Sequence, residues 1–192
     1  MRRIVWVILV AVLGVFGFWL GWAHALDAGV QAQRKTLDQP REINGIACAK
    51  GYAWFYPDGR LQRCTTSREI AVGVAQVQRG SIVVLLADGR PDYVMMRHDA
   101  AIGEVECRGG NWMLGPSEGA MVALYPSGRL KQCWLAKDQV VQGVPCMNGG
   151  MLGDGATREG GVKFRESGKL ESCTLAKDFG GKRKGELLVR VE

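Results

Sequence analysis

The chain has 192 residues, with 27 Gly, 6 Pro, 6 Cys and a formal net charge of +6. That length allows one or two domains with a real core. Two of the positive charges, Arg2 and Arg3, sit in the N-terminal segment and leave 23 basic against 19 acidic residues elsewhere, too mild an imbalance to argue for nucleic acid or anionic lipid as a partner.

The first predicted element is an N-terminal apolar helix. Residues 4–22 carry no charge and follow Met1-Arg2-Arg3, so the basic start stays in the cytoplasm and the rest of the chain is exported. Ala23-His24-Ala25 matches the small-x-small preference of signal peptidase, which favours a signal peptide cleaved after Ala25. The length of the run, with Trp19 and Trp22 near its outer end, favours an uncleaved membrane anchor. Both readings of residues 1–25 predict a periplasmic or membrane-anchored protein facing the periplasm; secretion also fits. Residues 26–42 are polar, end near Pro40, and read as a linker with room for a short helix.

From residue 43 the chain repeats. The stretches YPDGRLQRC (56–64), LADGRPDYV (86–94), YPSGRLKQC (125–133) and RESGKLESC (165–173) each place Gly59, Gly89, Gly128 or Gly168 after Asp or Ser. Such a pair between apolar alternations is a hairpin turn. Ala53, Val83, Val122 and Val162 precede these glycines by six residues, and Phe55, Leu85, Leu124 and Phe164 by four; the spacing of two puts both sets on one strand face. After the turn, Cys64, Val94, Cys133 and Cys173 share a position, followed by a basic-acidic pair: Arg68-Glu69, His98-Asp99, Lys137-Asp138 and Lys177-Asp178. A new strand then opens on an apolar-Gly-apolar pattern. The expected fold is all-β: tandem antiparallel hairpin repeats, with units 43–69, 70–99, 100–138 and 139–178, and a partial unit or cap over 179–192, in one domain spanning 43–192.

All six cysteines lie beyond the apolar run, which in an oxidising compartment reads as disulfides. The second unit lacks both of its cysteines, with Gln76 and Val94 read at their places. Pairing within units leaves no orphan thiol after such a loss, whereas pairing between units strands Cys64 and Cys107. The expected bridges are therefore Cys48–Cys64, Cys107–Cys133 and Cys146–Cys173. No two cysteines are spaced C-x-x-C, so no metal site is expected among them.

Serial apolar-x-aromatic-x-x-Gly-[Arg/Lys]-Leu hairpins resemble bacterial MORN-type repeats, particularly the YwqK-like group, over about 136 residues. The resemblance implies an elongated antiparallel array with a binding or scaffolding role rather than catalysis. The chain departs from those repeats where they place a denser Gly-x-Gly after the turn; here cysteine and the basic-acidic pair stand instead.

Units three and four carry insertions after their first cysteine, residues 108–120 and 147–161, which share Gly-Gly and Met-Leu-Gly. Matching insertions emerge on one side of a repeat array. Trp112, Met113, Leu114, Met151 and Leu152 are the candidate partner-binding residues; the competing role for them is to cover an exposed sheet face. Catalytic candidates are sparse. His98 occupies the basic position of its repeat and reads as a surface cation, and no Gly-x-Ser-x-Gly, HExxH or P-loop string occurs. Asp154 and Glu159 read as a solvated turn before a calcium site, and Lys182-Arg183-Lys184 as a solvated basic turn. No cofactor is expected. The sequence thus points to an exported, noncatalytic protein-binding or scaffolding module of a bacterial envelope, contacting another envelope protein and attached to the membrane if residues 4–22 remain. The alternatives are a small hydrolase or glycan-processing enzyme using carboxylates such as Glu118, Asp154 and Glu159, and an enzyme inhibitor or immunity protein.

Overall fold

The computed structural model describes residues 32–110, 121–148 and 161–190. The chain divides into Met1–Ala32 and Gln33–Glu192; the expected N-terminal helix lies outside the described residues. Among the described residues no helix is long and apolar enough to cross a membrane.

The second unit is all-β over its described residues. It opens with β1 (Gln33–Leu37), and the first repeat supplies β2 (Arg41–Ile43), β3 (Ile46–Phe55) and β4 (Leu61–Thr66). The second repeat supplies β5 (Ile70–Val72), β6 (Ala75–Val77), β7 (Ile82–Leu85) and β8 (Pro91–Met95). The third supplies β9 (Ala100–Ile102), β10 (Val105–Cys107), β11 (Met121–Leu124) and β12 (Leu130–Cys133). The fourth supplies β13 (Gln139–Val141), β14 (Val144–Cys146), β15 (Val162–Phe164) and β16 (Leu170–Thr174), and β17 (Leu187–Val189) closes the series.

Each repeat contains two hairpins of different size. The long ones, turning at Gly59, Gly89, Gly128 and Gly168, all with φ between 81° and 86°, join edge to edge into one antiparallel meander. Its order is β1-β3-β4-β7-β8-β11-β12-β15-β16-β17, with β2 also on β3. The register puts Ala53, Cys64, Val83, Val94, Val122, Cys133 and Val162 in one row across the sheet. Every member of that row is buried, and each such valine contributes about 1.5–3 kcal/mol through removal from water. Residues one step along, Trp54, Arg63, Tyr93, Gln132 and Lys163, point to the other face and stay half-exposed.

The short hairpins cover the inner face. Ile70, Val72, Ala75 and Val77 of β5–β6, Ile102 and Val105 of β9–β10, and Val141 and Val144 of β13–β14 belong to the same buried cluster as the sheet row. Cover for one sheet face thus comes, in repeats two to four, from three-residue strands within the repeat.

Two expectations need correction. Residues 33–37, read as linker, form the edge strand β1, paired with β3 from Gln33↔Phe55 to Leu37↔Gly51; an edge strand exposed along most of its length needs no apolar alternation. The second unit's counterpart of Cys48, Cys107 and Cys146 is Val77, not Gln76. Val77 pairs with Ile70 as Cys107 pairs with Ala100, and a slip of one residue moves a strand position to the opposite face. Two basic members of the recurrent basic-acidic pairs meet carboxylates outside those pairs. Lys137 meets Glu106 at 2.5 Å and Arg68 meets Glu42 at 3.2 Å.

The acidic members close the short hairpins instead. Asp99 Oδ1 accepts the Gly109 N–H, Asp138 Oδ1 the Asn148 N–H, and Asp178 Oδ1 the Lys184 N–H, each at 2.8 Å. At two long turns, Arg60 donates to Asp58 and Arg90 to Asp88. Those hydrogen bonds hold both carboxyls below their ordinary value.

Two tyrosines tie neighbouring long hairpins together. Tyr56 donates its hydroxyl to the Leu85 carbonyl at 2.8 Å, and Tyr125 to the Phe164 carbonyl at 2.9 Å. Burial, with Glu171 and Glu166 nearby, raises the Tyr125 phenol above its ordinary value. Tyr125→Phe should cost about 1 kcal/mol in urea unfolding; an unchanged midpoint would show that the latch contributes nothing.

Candidate functional site: a groove between the short hairpins

The cysteines form the bridges Cys48–Cys64, Cys107–Cys133 and Cys146–Cys173, with Cα separations of 5.7, 5.8 and 5.7 Å. Each ties the last strand of a short hairpin to the inner row of the sheet in the same unit. All six sulfurs are buried in the core and no cysteine is free, so they are structural rather than chemical. Unit two replaces the bridge by Val77 and Val94, both fully buried. It adds a polar knot in which Thr66 Oγ1 donates to the Gln78 carbonyl at 2.7 Å and accepts the Ser81 N–H at 3.1 Å. Ser81 Oγ in turn accepts the Arg97 N–H at 2.9 Å.

The expected partner-binding residues Trp112, Met113, Leu114, Met151 and Leu152 lie outside the described residues, as do Glu118, Asp154 and Glu159. His98 is exposed, and its backbone rather than its ring engages the fold: the Gly109 α-carbon packs against it so closely that an added Cβ would lie 2.0 Å from the His98 carbonyl carbon. Among the described residues no three His, Cys, Asp or Glu side chains cluster as metal ligands.

A groove of about 390 Å³ opens where the turns of the short hairpins meet the turns of the sheet. Its position follows from how the two layers interlock. Gly73, at the β5–β6 turn, lies against Gly128 of the β11–β12 turn, where the Val74 N–H donates to the Gly128 carbonyl at 2.9 Å. A Cβ on Gly73 would fall 2.2 Å from that carbonyl oxygen, so only glycine permits the approach. At the β13–β14 turn, Gln142 holds β15–β16 with its amide: Nε2 donates to the Gly168 carbonyl and Oε1 accepts the Leu170 N–H, both at 2.8 Å. The β9–β10 turn, Gly103-Glu104, lines the groove between these two anchor points.

The groove floor is apolar, built from Ile102, Val141, Leu130 and Phe164. Val74 and Val140 form its lips and are 51% and 64% exposed. Glu104 and Arg129 supply one charge of each sign, and Arg129 is steadied by a hydrogen bond from Nη1 to the Glu166 carbonyl at 2.9 Å. A second hollow of about 290 Å³ shares Gly103 and Glu104 and is acidic, with Asp99 and Glu106. The β9–β10 hairpin therefore divides an apolar hollow from an acidic one. This arrangement suits a ligand with an apolar side chain and a neighbouring cation. Among the described residues its lining holds no His or Cys, and so no nucleophile-base pair of the Cys-His or Ser-His kind.

Sequence reasoning missed the groove because its walls come from turns far apart in the chain. A local signal existed: Val74 puts an apolar residue at a turn tip where the third unit has Glu104, and Val140-Val141 breaks the alternation of β13. No family model, no curated protein and no solved structure matches the chain.

Proposed function

We propose that the β domain is a noncatalytic protein-binding module of a bacterial envelope, exported and held near the membrane by residues 4–22 if these are retained. The observation that carries this reading is the groove with its half-exposed apolar lips, Val74 and Val140. Three buried disulfides suit an oxidising compartment such as the periplasm. The resemblance to MORN-type repeats agrees with a binding role. The partner chemistry is a protein segment that seats an aliphatic or aromatic side chain on Leu130 and Phe164 and sets a Lys or Arg beside Glu104 and Asp99, since Glu106 is already paired with Lys137.

The test is site-specific photo-crosslinking in cells, with the reactive side chain at Val140 and, as a control on the opposite sheet face, at Tyr52. A partner peptide captured at 140 and not at 52, and lost on Val74→Glu, supports the reading. Val74 is exposed, so that variant should leave the unfolding free energy within about 0.5 kcal/mol of wild type. Equal capture at both positions, or capture indifferent to Val74→Glu, would remove the groove as the binding site.

A further inference from the structure

The two ends of the large sheet differ. At one edge β1 exposes Gln33, Arg34, Lys35 and Thr36, and its cations lie over aromatic rings: Arg34 at 4.6 Å from the Tyr52 centroid, Lys35 at 5.0 Å from Phe55. Charge of this kind on an edge blocks pairing with another strand. At the other edge β17 presents Leu187, Leu188 and Val189, with Leu187 38% and Val189 52% exposed, and has no second neighbour among the described residues.

The backbone of β17 faces two ways. Glu186 accepts the Leu175 N–H on its carbonyl, Arg190 donates its N–H to the Glu171 carbonyl, and Leu188 stands opposite Cys173. Even-numbered residues therefore bond to β16. By the alternation of an antiparallel ladder, the N–H and C=O groups of Leu187 and Val189 point away from the sheet.

We propose that β17 is a docking edge for β17 of a second copy of this chain, paired antiparallel about a two-fold axis through Leu188. In that register Leu187 lies opposite Val189 of the second copy. Both residues carry outward backbone groups, so each such pair exchanges two hydrogen bonds. The residues flanking the pair carry opposite charges, Glu186 on one side and Arg190 on the other. A two-fold puts each against the other twice, because residue i meets j while j meets i. Both are exposed and neither joins an ion pair among the described residues, although Arg190 Nη2 donates to the Gln142 carbonyl at 3.1 Å and must turn from it to meet Glu186 of the second copy. Shifting the register separates Glu186 from Arg190, so the charges select the register centred on Leu188. A strand of some other protein would have no reason to match this antisymmetry; a second copy matches it by construction. The contact is short, below about 1,000 Å², and makes a weak dimer.

The experiment uses the full chain in detergent, mixing copies that carry Leu187→Cys with copies that carry Val189→Cys under oxidising conditions. Opposed residues in such a pair lie about 5.5 Å apart at Cα, within disulfide reach. A disulfide-linked dimer is expected from the mixture and not from either variant alone. Both new cysteines sit on the sheet face opposite the native bridges. Glu186→Arg should weaken self-association about tenfold, and mixing it with Arg190→Glu copies should restore the dimer. Val189→Pro removes an outward N–H without breaking the bonds to β16, and should leave a folded monomer. Cross-linking of either cysteine variant with itself, cross-linking to a cysteine placed in β1, or no linked species in the mixture overturns the proposal. So does a charge-reversed mixture that fails to recover.

Discussion

Gly109→Ala is expected to destabilise the β domain by about 3 kcal/mol in urea unfolding, at the upper end of the cost of overpacking a tight site. Gly109 is buried, and an added Cβ would stand 2.0 Å from the His98 carbonyl carbon, 2.2 Å from its oxygen and 2.4 Å from its Cα. All three are backbone atoms, so no side-chain rotation relieves the contact. Displacing the segment also stretches the Asp99 Oδ1 bond to the Gly109 N–H and the bond from the Gly110 N–H to the Met96 carbonyl. Gly59→Ala is the comparison. Its turn has φ 86° but nothing within 4 Å of the added Cβ, so only conformational strain, about 1–2 kcal/mol, applies. A Gly109→Ala protein no less stable than Gly59→Ala would show that the β9–β10 hairpin is not anchored where the contacts place it.

The second large effect concerns the Cys107–Cys133 bridge, which closes a loop of sequence separation 26. Removing it as a Ser pair should cost about 3.5 kcal/mol through restored freedom of the unfolded chain, plus about 1–3 kcal/mol for each buried hydroxyl left without a partner. The chain itself contains the milder replacement. Unit two holds Val77 and Val94 at the equivalent places, both fully buried. Cys107→Val with Cys133→Val should therefore retain about 2 kcal/mol more stability than the Ser pair. Denaturant titrations of the two double variants decide the matter; equal midpoints would mean that the hydroxyls find partners or water, and that the inner row is less dry than its burial indicates.

The large sheet was legible because its signals are redundant. Gly59, Gly89, Gly128 and Gly168 mark the turns, and residues six and four positions before them mark the inward face. Loss of both cysteines in one unit was enough to choose the within-unit pairing. The second layer was not legible as such. Strands of three residues, such as Ile70–Val72 and Ala75–Val77, give too few alternations to register as periodicity. Their turn glycine also moves: it stands first in the turn at Gly73 and Gly103, but second at Gly45 and Gly143 behind Asn44 and Gln142, which themselves adopt positive φ. Cys48 and Cys146 stand three residues after Gly45 and Gly143, and the same count from Gly73 falls on Gln76, whereas Cys107 and Val77 stand four after Gly103 and Gly73. Strand β1 escaped because four of its five residues are exposed, and an edge strand of that kind has the composition of a linker. The groove depends on Val74, Ile102, Val140 and Phe164 converging from three repeats, which no local pattern encodes.

The missing bridge of unit two also sets how the domain would respond to being pulled. Within each bridged unit the disulfide carries tension directly from one cysteine to its partner, so the 49–63, 108–132 and 147–172 segments are shielded from load. Between Cys64 and Cys107 no covalent shortcut exists. Drawn out fully, that stretch lengthens to roughly 150 Å, taking about 3.5 Å per residue. A domain tethered at its N-terminal side and loaded near the groove would thus lengthen most in this segment, the longest internal one outside the bridges, held by Thr66, Gln78 and Ser81 rather than by sulfur, while the bridged loops on either side stay closed.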